Sequence, residues 1–459
     1  MKPNRIIYGK LRIKDTVYPF FMQDQLVTIT QTPYEHNNDF SDLTVVEKIV
    51  GLTNGNKIVA LMNCRFPNHP WRVLCSSITF SVSWFVEYDT EEQSFDKICF
   101  KSTALNAFFP TVRAIDGSSF DNQAAADGSY RFSIRPIKDR TRKFVSTIGD
   151  DSVTVLLTVA WSISARLEDP QIGQKFTECS FIFDSERNAD CLGKYYLWLY
   201  DFLVFVTFRQ CVDIDEVDLL KNDSSGRNHK IGSAYFFAPY RGFVADARKT
   251  ITFEDIGEDR VGTLFSNVAM RRNDHRFNPL YIPENDEDAR TVDIVKWISA
   301  ALAFEGEFNA NYPNYKYQSD EDFRNAKNKL METIEEQIKL SGRGKNNKVN
   351  SGYKRFRDLI DKADTTLEEK IIFMFDQYAT VIDAVQQRYM EANNVEATNR
   401  ELAFRWAAYR NSIAHGSLEP IKGMDIVNYA ITKMFIYVLV LESSGISKEA
   451  QQSIIEKMF

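Results

Sequence analysis

The chain has 459 residues, a net charge of −7 and 44% apolar residues, with 34 Phe and 20 Tyr among its aromatics. That length and apolar content fit two globular domains with sizeable cores. The acidic balance excludes a bulk polycation that coats nucleic acid, so any RNA site must be a local patch. The six cysteines, Cys64, Cys75, Cys99, Cys179, Cys191 and Cys211, all lie in the first half and include no C-x-x-C pair. Their spacing points to no zinc site and reads as reduced thiols in a cytoplasmic protein. The stretch Met1 to Lys10 carries charges and no apolar signal region, and the apolar run from Tyr195 to Phe208 is interrupted by Asp201. The expectation is a soluble protein without a membrane segment, in which that run is a buried helix.

Residues 1 to about 260 read mainly as strands. Ile78, Phe80, Val82, Trp84 and Val86 keep a period of two, as do Tyr130, Phe132 and Ile134, and the longest run is Val153, Val155, Leu157, Val159, Trp161 and Ile163. Such alternation predicts half-buried antiparallel strands, arranged as a β-sandwich or jelly-roll-like sheet pair. One helix, at about Asp190 to Arg209, interrupts them. The acidic cluster Asp213, Asp215, Glu216 and Asp218 alternates with Val212, Ile214 and Val217 and lacks the glycine of a calcium loop, which predicts a charged edge strand. His36, His69, His229 and His275 lie far apart, so neither a metal site nor a cofactor is expected.

The period changes after about residue 285, where Pro279, Pro283 and the acidic run Glu284 to Asp288 mark a boundary. The expected organisation is therefore α+β, with a β-rich domain over residues 1–280 and an all-α bundle over 285–459. Helices are predicted from about Glu287 to Asn309 and from near Ser319, the latter with Phe323, Leu330 and Ile334 inward. A third starts at the Thr366–Glu369 capping box and carries the stripe Ile371, Phe375, Tyr378, Ile382, Val385 and Tyr389. Between them, Ser341 to Arg357 contains Lys345, Lys348, Lys354, Arg355 and Arg357 beside Tyr353 and Phe356. Basic residues interleaved with aromatics suit single-stranded RNA, and the first half of the segment reads as a flexible loop. A strongly apolar helix at about Gly423 to Ser443 and a short final helix close the chain.

The most informative segment is Tyr409-Arg410-Asn411-Ser412-Ile413-Ala414-His415-Gly416. Thr398 and Glu401 form a T-x-x-E capping box, and Leu402, Trp406, Tyr409 and Ile413 make one apolar stripe. Gly416 and Pro420 end the pattern, which predicts a helix from about Asn399 to His415. Asn411 and His415, four apart, share a face, and Arg410 lies beside it. An arginine can hold a phosphate and a histidine can move a proton near neutral pH. The plainer reading makes Arg410 a solvated surface residue and His415 a polar helix end.

The R-N-x-x-x-H pattern on a helix near the C-terminus resembles the signature of HEPN ribonucleases, and the order of a β-rich region before a helical domain is similar to the ApeA-type branch of that family. The resemblance implies a homodimeric, metal-independent endoribonuclease that leaves 2′,3′-cyclic phosphate and 5′-OH ends. In that reading His415 is acid or base, Arg410 stabilises phosphoryl charge, and Asn411 orients the phosphate or the imidazole. It further implies abortive defence against phage, with host RNA (transfer RNA is a plausible target) as substrate and a phage-derived trigger sensed by the β-rich domain. Because such sites draw support from an earlier helix, Glu305, amid Ala301-Leu302-Ala303-Phe304, is a candidate fourth member. Arg405, five residues before Arg410, is a candidate extension of the phosphate track. The competing readings are a non-catalytic module for dimerisation or for nucleotide or RNA binding, and a carbohydrate-binding sandwich.

Overall fold

The computed structural model describes residues 6–30, 43–67, 77–114, 140–163, 172–214, 216–223, 225–237, 245–276, 279–315, 321–341, 347–361, 366–417 and 419–459. The chain divides into two compact units, Met1–Arg272 with Pro283–Asp288, and Asn273–Ile282 with Ala289–Phe459. The chain thus crosses between the units more than once around the boundary expected at 280–285. The architecture is α+β, an antiparallel β-rich region followed by an all-helical one.

The first unit opens with β1 (Ile6–Ile13), β2 (Thr16–Gln23), β3 (Leu26–Thr30), β4 (Val45–Thr53), β5 (Ile58–Arg65), β6 (Ser77–Ser81), β7 (Trp84–Tyr88) and β8 (Phe95–Lys101). It continues with α1 (Thr103–Phe108), β9 (Thr141–Ile148), β10 (Asp151–Ile163), β11 (Ile172–Arg187), α2 (Leu192–Thr207), β12 (Glu216–Asn222), β13 (Asn228–Phe236), α3 (Phe253–Ile256) and α4 (Glu258–Asn273). All these strands join one sheet in the order β4-β1-β2-β3-β6-β5-β7-β13-β12-β8-β11-β10-β9, and β4 also pairs with β5. That extra pairing closes β1 to β6 into a six-stranded barrel. The expected pair of stacked sheets is instead one continuous sheet, rolled up at one end and open at β9. Alternation in β1 places Ile7, Leu11 and Ile13 inside the barrel, where they meet Tyr18, Phe20, Met22 and Phe80.

Two glycines let the barrel close. A Cβ on Gly9 would lie 2.1 Å from the Leu52 carbonyl oxygen, and one on Gly51 would lie 2.3 Å from that of Lys10. Where β1 meets β4, the two backbones therefore approach too closely for any side chain. On the open part of the sheet, Phe181 packs against Tyr195 of α2 and Phe265 of α4, and Phe202 of α2 packs against Phe265.

Several expectations change. The run from Ile78 to Val86 is two strands, β6 and β7, separated at Val82 and Ser83. The acidic cluster is not an edge strand, because β12 lies between β8 and β13. Asp213 accepts hydrogen bonds from the Ser102 hydroxyl and the Thr103 amide (2.6 and 2.9 Å), and Asp218 pairs with Lys101 and Lys230. Asp215 lies outside the described residues, as do His36, His69, Cys75 and the run from Tyr130 to Ile134. Among the described residues the cysteines are free thiols, and burial pushes those of Cys64 and Cys99 up to about 12. No cluster of metal-ligating side chains occurs among the described residues.

The second unit contains α5 (Ile294–Asn311), α6 (Glu321–Leu340), α7 (Asn347–Asp361), α8 (Leu367–Ala392), α9 (Asn399–Ala414), α10 (Gly423–Ser443) and α11 (Lys448–Met458). Its core is aromatic, with Trp297, Phe304, Trp406, Tyr409 and Phe435 in mutual ring contact. The α10 helix is long and apolar enough to cross a bilayer, but 89% of its apolar window is buried in the fold, the environment of a core helix. Of the basic segment 341–357, whose first half was expected to be a flexible loop, residues 342–346 lie outside the described residues, and from Asn347 the chain is helical, forming α7, which packs on α6. Of the three α6 residues expected to face inward, only Ile334 is buried, while Phe323 and Leu330 are 41% and 52% exposed.

Replacement of Gly9 by alanine is expected to destabilise the first unit by about 3 kcal/mol, because the clash is with backbone and not with a side chain that can turn away. Thermal unfolding of Gly9→Ala against Gly149→Ala, whose added Cβ meets nothing within 4 Å, separates steric closure from the effect of φ alone.

Candidate functional site

Helix α9 begins where its sequence dictates. The Thr398 amide and hydroxyl donate to Glu401 Oε2 at 2.7 and 2.8 Å, and the Glu401 amide donates back to Thr398 Oγ1 at 3.3 Å. Leu402, Trp406 and Tyr409 are buried and set the helix's inward face. Trp406 Nε1 donates to Thr432 Oγ1 of α10 at 2.8 Å. At the far end His415 caps the helix and Gly416 takes φ +83°, while the Ser417 amide reaches back to the Ser412 carbonyl at 3.0 Å. This left-handed glycine and the six-to-one hydrogen bond satisfy the last turn's carbonyls.

Arg405 and Arg410, five residues apart, have different fates. Arg405 forms a two-pronged pair with Asp425 at the start of α10, Nε to Oδ1 at 2.7 Å and a terminal nitrogen to Oδ2 at 2.8 Å. Asp425 is fully buried, and it also accepts the Lys422 amide at 3.0 Å. A guanidinium paired with a buried carboxylate fastens two helices, while the Arg405 side chain itself stays 28% exposed.

Arg410 instead pairs with Glu305 of α5, Nε to Oε1 at 3.0 Å and a terminal nitrogen to Oε2 at 3.4 Å. Both side chains keep access to solvent, at 24% and 21% exposure. The structure thus brings together the motif arginine and the acidic residue singled out on the earlier helix. A water-accessible Arg–carboxylate pair leaves guanidinium N–H groups that a phosphate can reach.

His415 and Asn411 are exposed, and neither side chain has a hydrogen-bond partner among the described residues. The expected orientation of the imidazole by Asn411 is therefore not made within one chain. Both side chains are open to an incoming ligand, and the imidazole is available as a proton donor or acceptor.

One residue beside this group has no counterpart in the sequence reading. Lys370 lies in the first turn of α8, donates to Asn309 Oδ1 at 2.8 Å and sits 5.4 Å from the Phe308 ring centroid. Burial lowers the ammonium's pKa, and the charge of Glu305 works against that shift. Glu305 and Asn309 are one turn apart on α5, so a single helix face engages cations from both α8 and α9. The signal that could have found Lys370 is its position, since a cation in the first turn opposes the helix dipole.

The remaining basic candidates lie apart from these residues in the sequence, on α7. Lys348, Lys354 and Arg355 are exposed, and Arg357 pairs with Asp358 at 2.9 Å. Lys345 lies outside the described residues. Lys348 and Arg355, seven apart, share one side of the helix, while Lys354 and Arg357 share another, so the charge surrounds α7 instead of forming a single track.

No protein-family model matches the chain, and no curated protein or solved structure does either.

Arg405→Met is expected to cost about 3 kcal/mol, because it leaves Asp425 buried without its cation. Arg410→Met is expected to cost less than about 1 kcal/mol, as for other solvent-accessible pairs. Urea unfolding of the two variants tests this division of roles, and equal losses would contradict it.

Proposed function

We propose that the protein is an endoribonuclease of the HEPN type that cuts RNA without a metal ion. The observation that supports this most directly is the end of α9, where a partly exposed Arg410 paired with Glu305 and an exposed, unencumbered His415 share the last turns of one helix. In this mechanism an imidazole takes the proton from a ribose 2′-OH. The 2′-oxygen attacks the adjacent phosphorus and the bond to the 5′-oxygen breaks, leaving a 2′,3′-cyclic phosphate and a 5′-OH. Arg410 stabilises the charge that develops on the phosphoryl oxygens, and Glu305 holds the guanidinium in place before substrate arrives.

One chain supplies one such histidine. A homodimer with the two α9 ends facing each other supplies the second proton carrier for the leaving oxygen, and would place Asn411 against the opposing site. The resemblance to the ApeA-type branch extends the proposal to abortive defence against phage. Host RNA, plausibly transfer RNA, is then the substrate, and the β-rich unit restrains the nuclease until a phage-derived trigger is present. The exposed basic residues of α7 are the proposed contacts for RNA outside the cleavage site. The competing reading is a binding module in which Arg410 and His415 hold a phosphate without cleaving it, and it is favoured by the lack, among the described residues, of any group orienting the imidazole.

The deciding experiment incubates wild-type protein, His415→Ala and Arg410→Ala with total cellular RNA in EDTA and maps the fragment ends. The proposal expects cyclic-phosphate ends from wild type only, with each variant reduced by at least about a hundredfold. Undiminished cleavage by the variants would remove these residues from the mechanism. RNA binding without cleavage, in buffer and in phage-infected lysate alike, would favour the binding module.

A further inference from the structure

The barrel presents an outer surface that its own packing does not use. Side chains alternate along β1, β2, β3 and β6, one set filling the barrel and the other pointing outward. The outward set on these four strands contains no aspartate or glutamate, in a chain whose net charge is −7. It does contain two aromatic rings, since Tyr8 and Phe21 are 53% and 40% exposed.

Strand register arranges this surface in rows. Tyr8 of β1 stands opposite Phe21 of β2, and their rings lie 6.4 Å apart with a tilt of 38°. Lys10, in the next outward position, lies between Leu52 of β4 and Pro19 of β2. Arg12 follows, between Val50 and Val17. Outward residues two apart on a strand are about 7 Å from each other, so a row of rings is followed by two rows centred on cations. Backbone pairing to β4 and β2 fixes Lys10 and Arg12 on both sides. Both side chains are exposed, and among the described residues neither has an ion pair or a hydrogen-bond partner.

The position of the cations discriminates between the partners that could cover such a face. An apolar protein surface laid over it would bury two cations without counter-charge, which is costly, and lysine is depleted from the centre of protein interfaces. On a face that enters a lipid bilayer, cations stand at the edge, where they reach the headgroups. Here they are flanked on both sides by exposed apolar side chains that would have to insert with them. A nucleic acid strand carries flat rings and a phosphate on every residue, so it meets the ring row and the cation rows together. In a duplex the bases are stacked and paired inside the helix, and only an unpaired strand can turn them onto a protein surface.

We propose that the outward face of β1 and β2 binds single-stranded nucleic acid. Bases pack over the Tyr8–Phe21 pair, and phosphates lie on Lys10 and Arg12. Nothing in this contact reads a 2′-OH, so DNA and RNA are bound alike. The surface lies in the first unit and does not depend on Arg410 or His415.

Fluorescence polarisation of the full chain with a labelled oligothymidylate of about 12 nucleotides tests the assignment. DNA has no 2′-OH to attack, so the result stands apart from the ribonuclease reading. The probe should bind with Kd below about 20 µM, and an oligouridylate of equal length within about threefold of it. A duplex of the same length should bind at least about tenfold more weakly. Tyr8→Leu combined with Phe21→Leu keeps the apolar volume and removes the rings, so it should weaken binding about tenfold and leave the thermal midpoint unchanged. Lys10→Gln combined with Arg12→Gln should lower the slope of log Kd against log salt by about 1.4, the loss expected for two phosphate contacts. Absence of binding at about 200 µM protein would overturn the proposal, as would equal affinity for the duplex or affinities that both double variants leave unchanged. It would also fall if Phe21→Ser abolished co-sedimentation of the chain with phosphatidylserine vesicles, or abolished a dimer seen in sedimentation velocity, because the face would then belong to lipid or to a second copy.

Discussion

The arrangement of α5, α9 and α10 around the candidate site depends on one buried carboxylate, Asp425. Asp425 is fully buried, and its side chain neutralises Arg405 while accepting the Lys422 amide. Its main-chain oxygen accepts the indole N–H of Trp297 at 3.0 Å. One residue therefore joins α5, α9 and the start of α10. A buried charge is tolerated only when its partners are held in place, so this junction has little freedom to shift. The helices it joins are the ones that present Glu305 and Arg410.

Rigidity at the junction contrasts with openness at the end of α9. The buried ring cluster of Trp297, Trp406 and Tyr409 fixes the direction of the helix, and the left-handed Gly416 stops it one residue after His415. The last turn therefore projects Asn411 and His415 into solvent while its root is immobilised. Groups that transfer protons need access to substrate, and groups that position them need burial. Here the buried anchors and the exposed Asn411 and His415 lie on opposite faces of the same helix.

Much of this was legible in the sequence wherever the signal is local. The α9 and α8 capping boxes, the stripes as far as Val385 and Tyr409, and the alternation of β10 from Val153 to Val159 depend on residues within a few positions of each other, and each reappears in the structure. Composition misled at α7. Glycines and asparagines made the first half of 341–357 read as loop, yet Val349, Tyr353, Phe356 and Ile360 keep helical spacing and the chain is helical from Asn347. The α4 helix has no counterpart in the sequence reading, since its apolar face of Val261, Leu264, Phe265 and Val268 lies between the strand region ending at about residue 260 and the boundary near 285. The barrel was not visible at all, because closure is a pairing between β4 and β1 and between β4 and β5, and nothing in either strand names its partner.

The sequence by itself determined where α9 starts and stops, which of its faces is apolar, and that Asn411 and His415 lie one turn apart, because each of these follows from interactions within a single helical turn. It also determined that a β-rich region precedes a helical one, through a change of period from two to about 3.6. Only the tertiary structure decided that Arg405 pairs with a fully buried carboxylate and Arg410 with a partly exposed one. The two arginines have the same side chain on the same helix, and what distinguishes them is a carboxylate 20 positions away in one case and 105 in the other. Ion-pair choice is set by distance and burial in three dimensions, neither of which the order of residues contains.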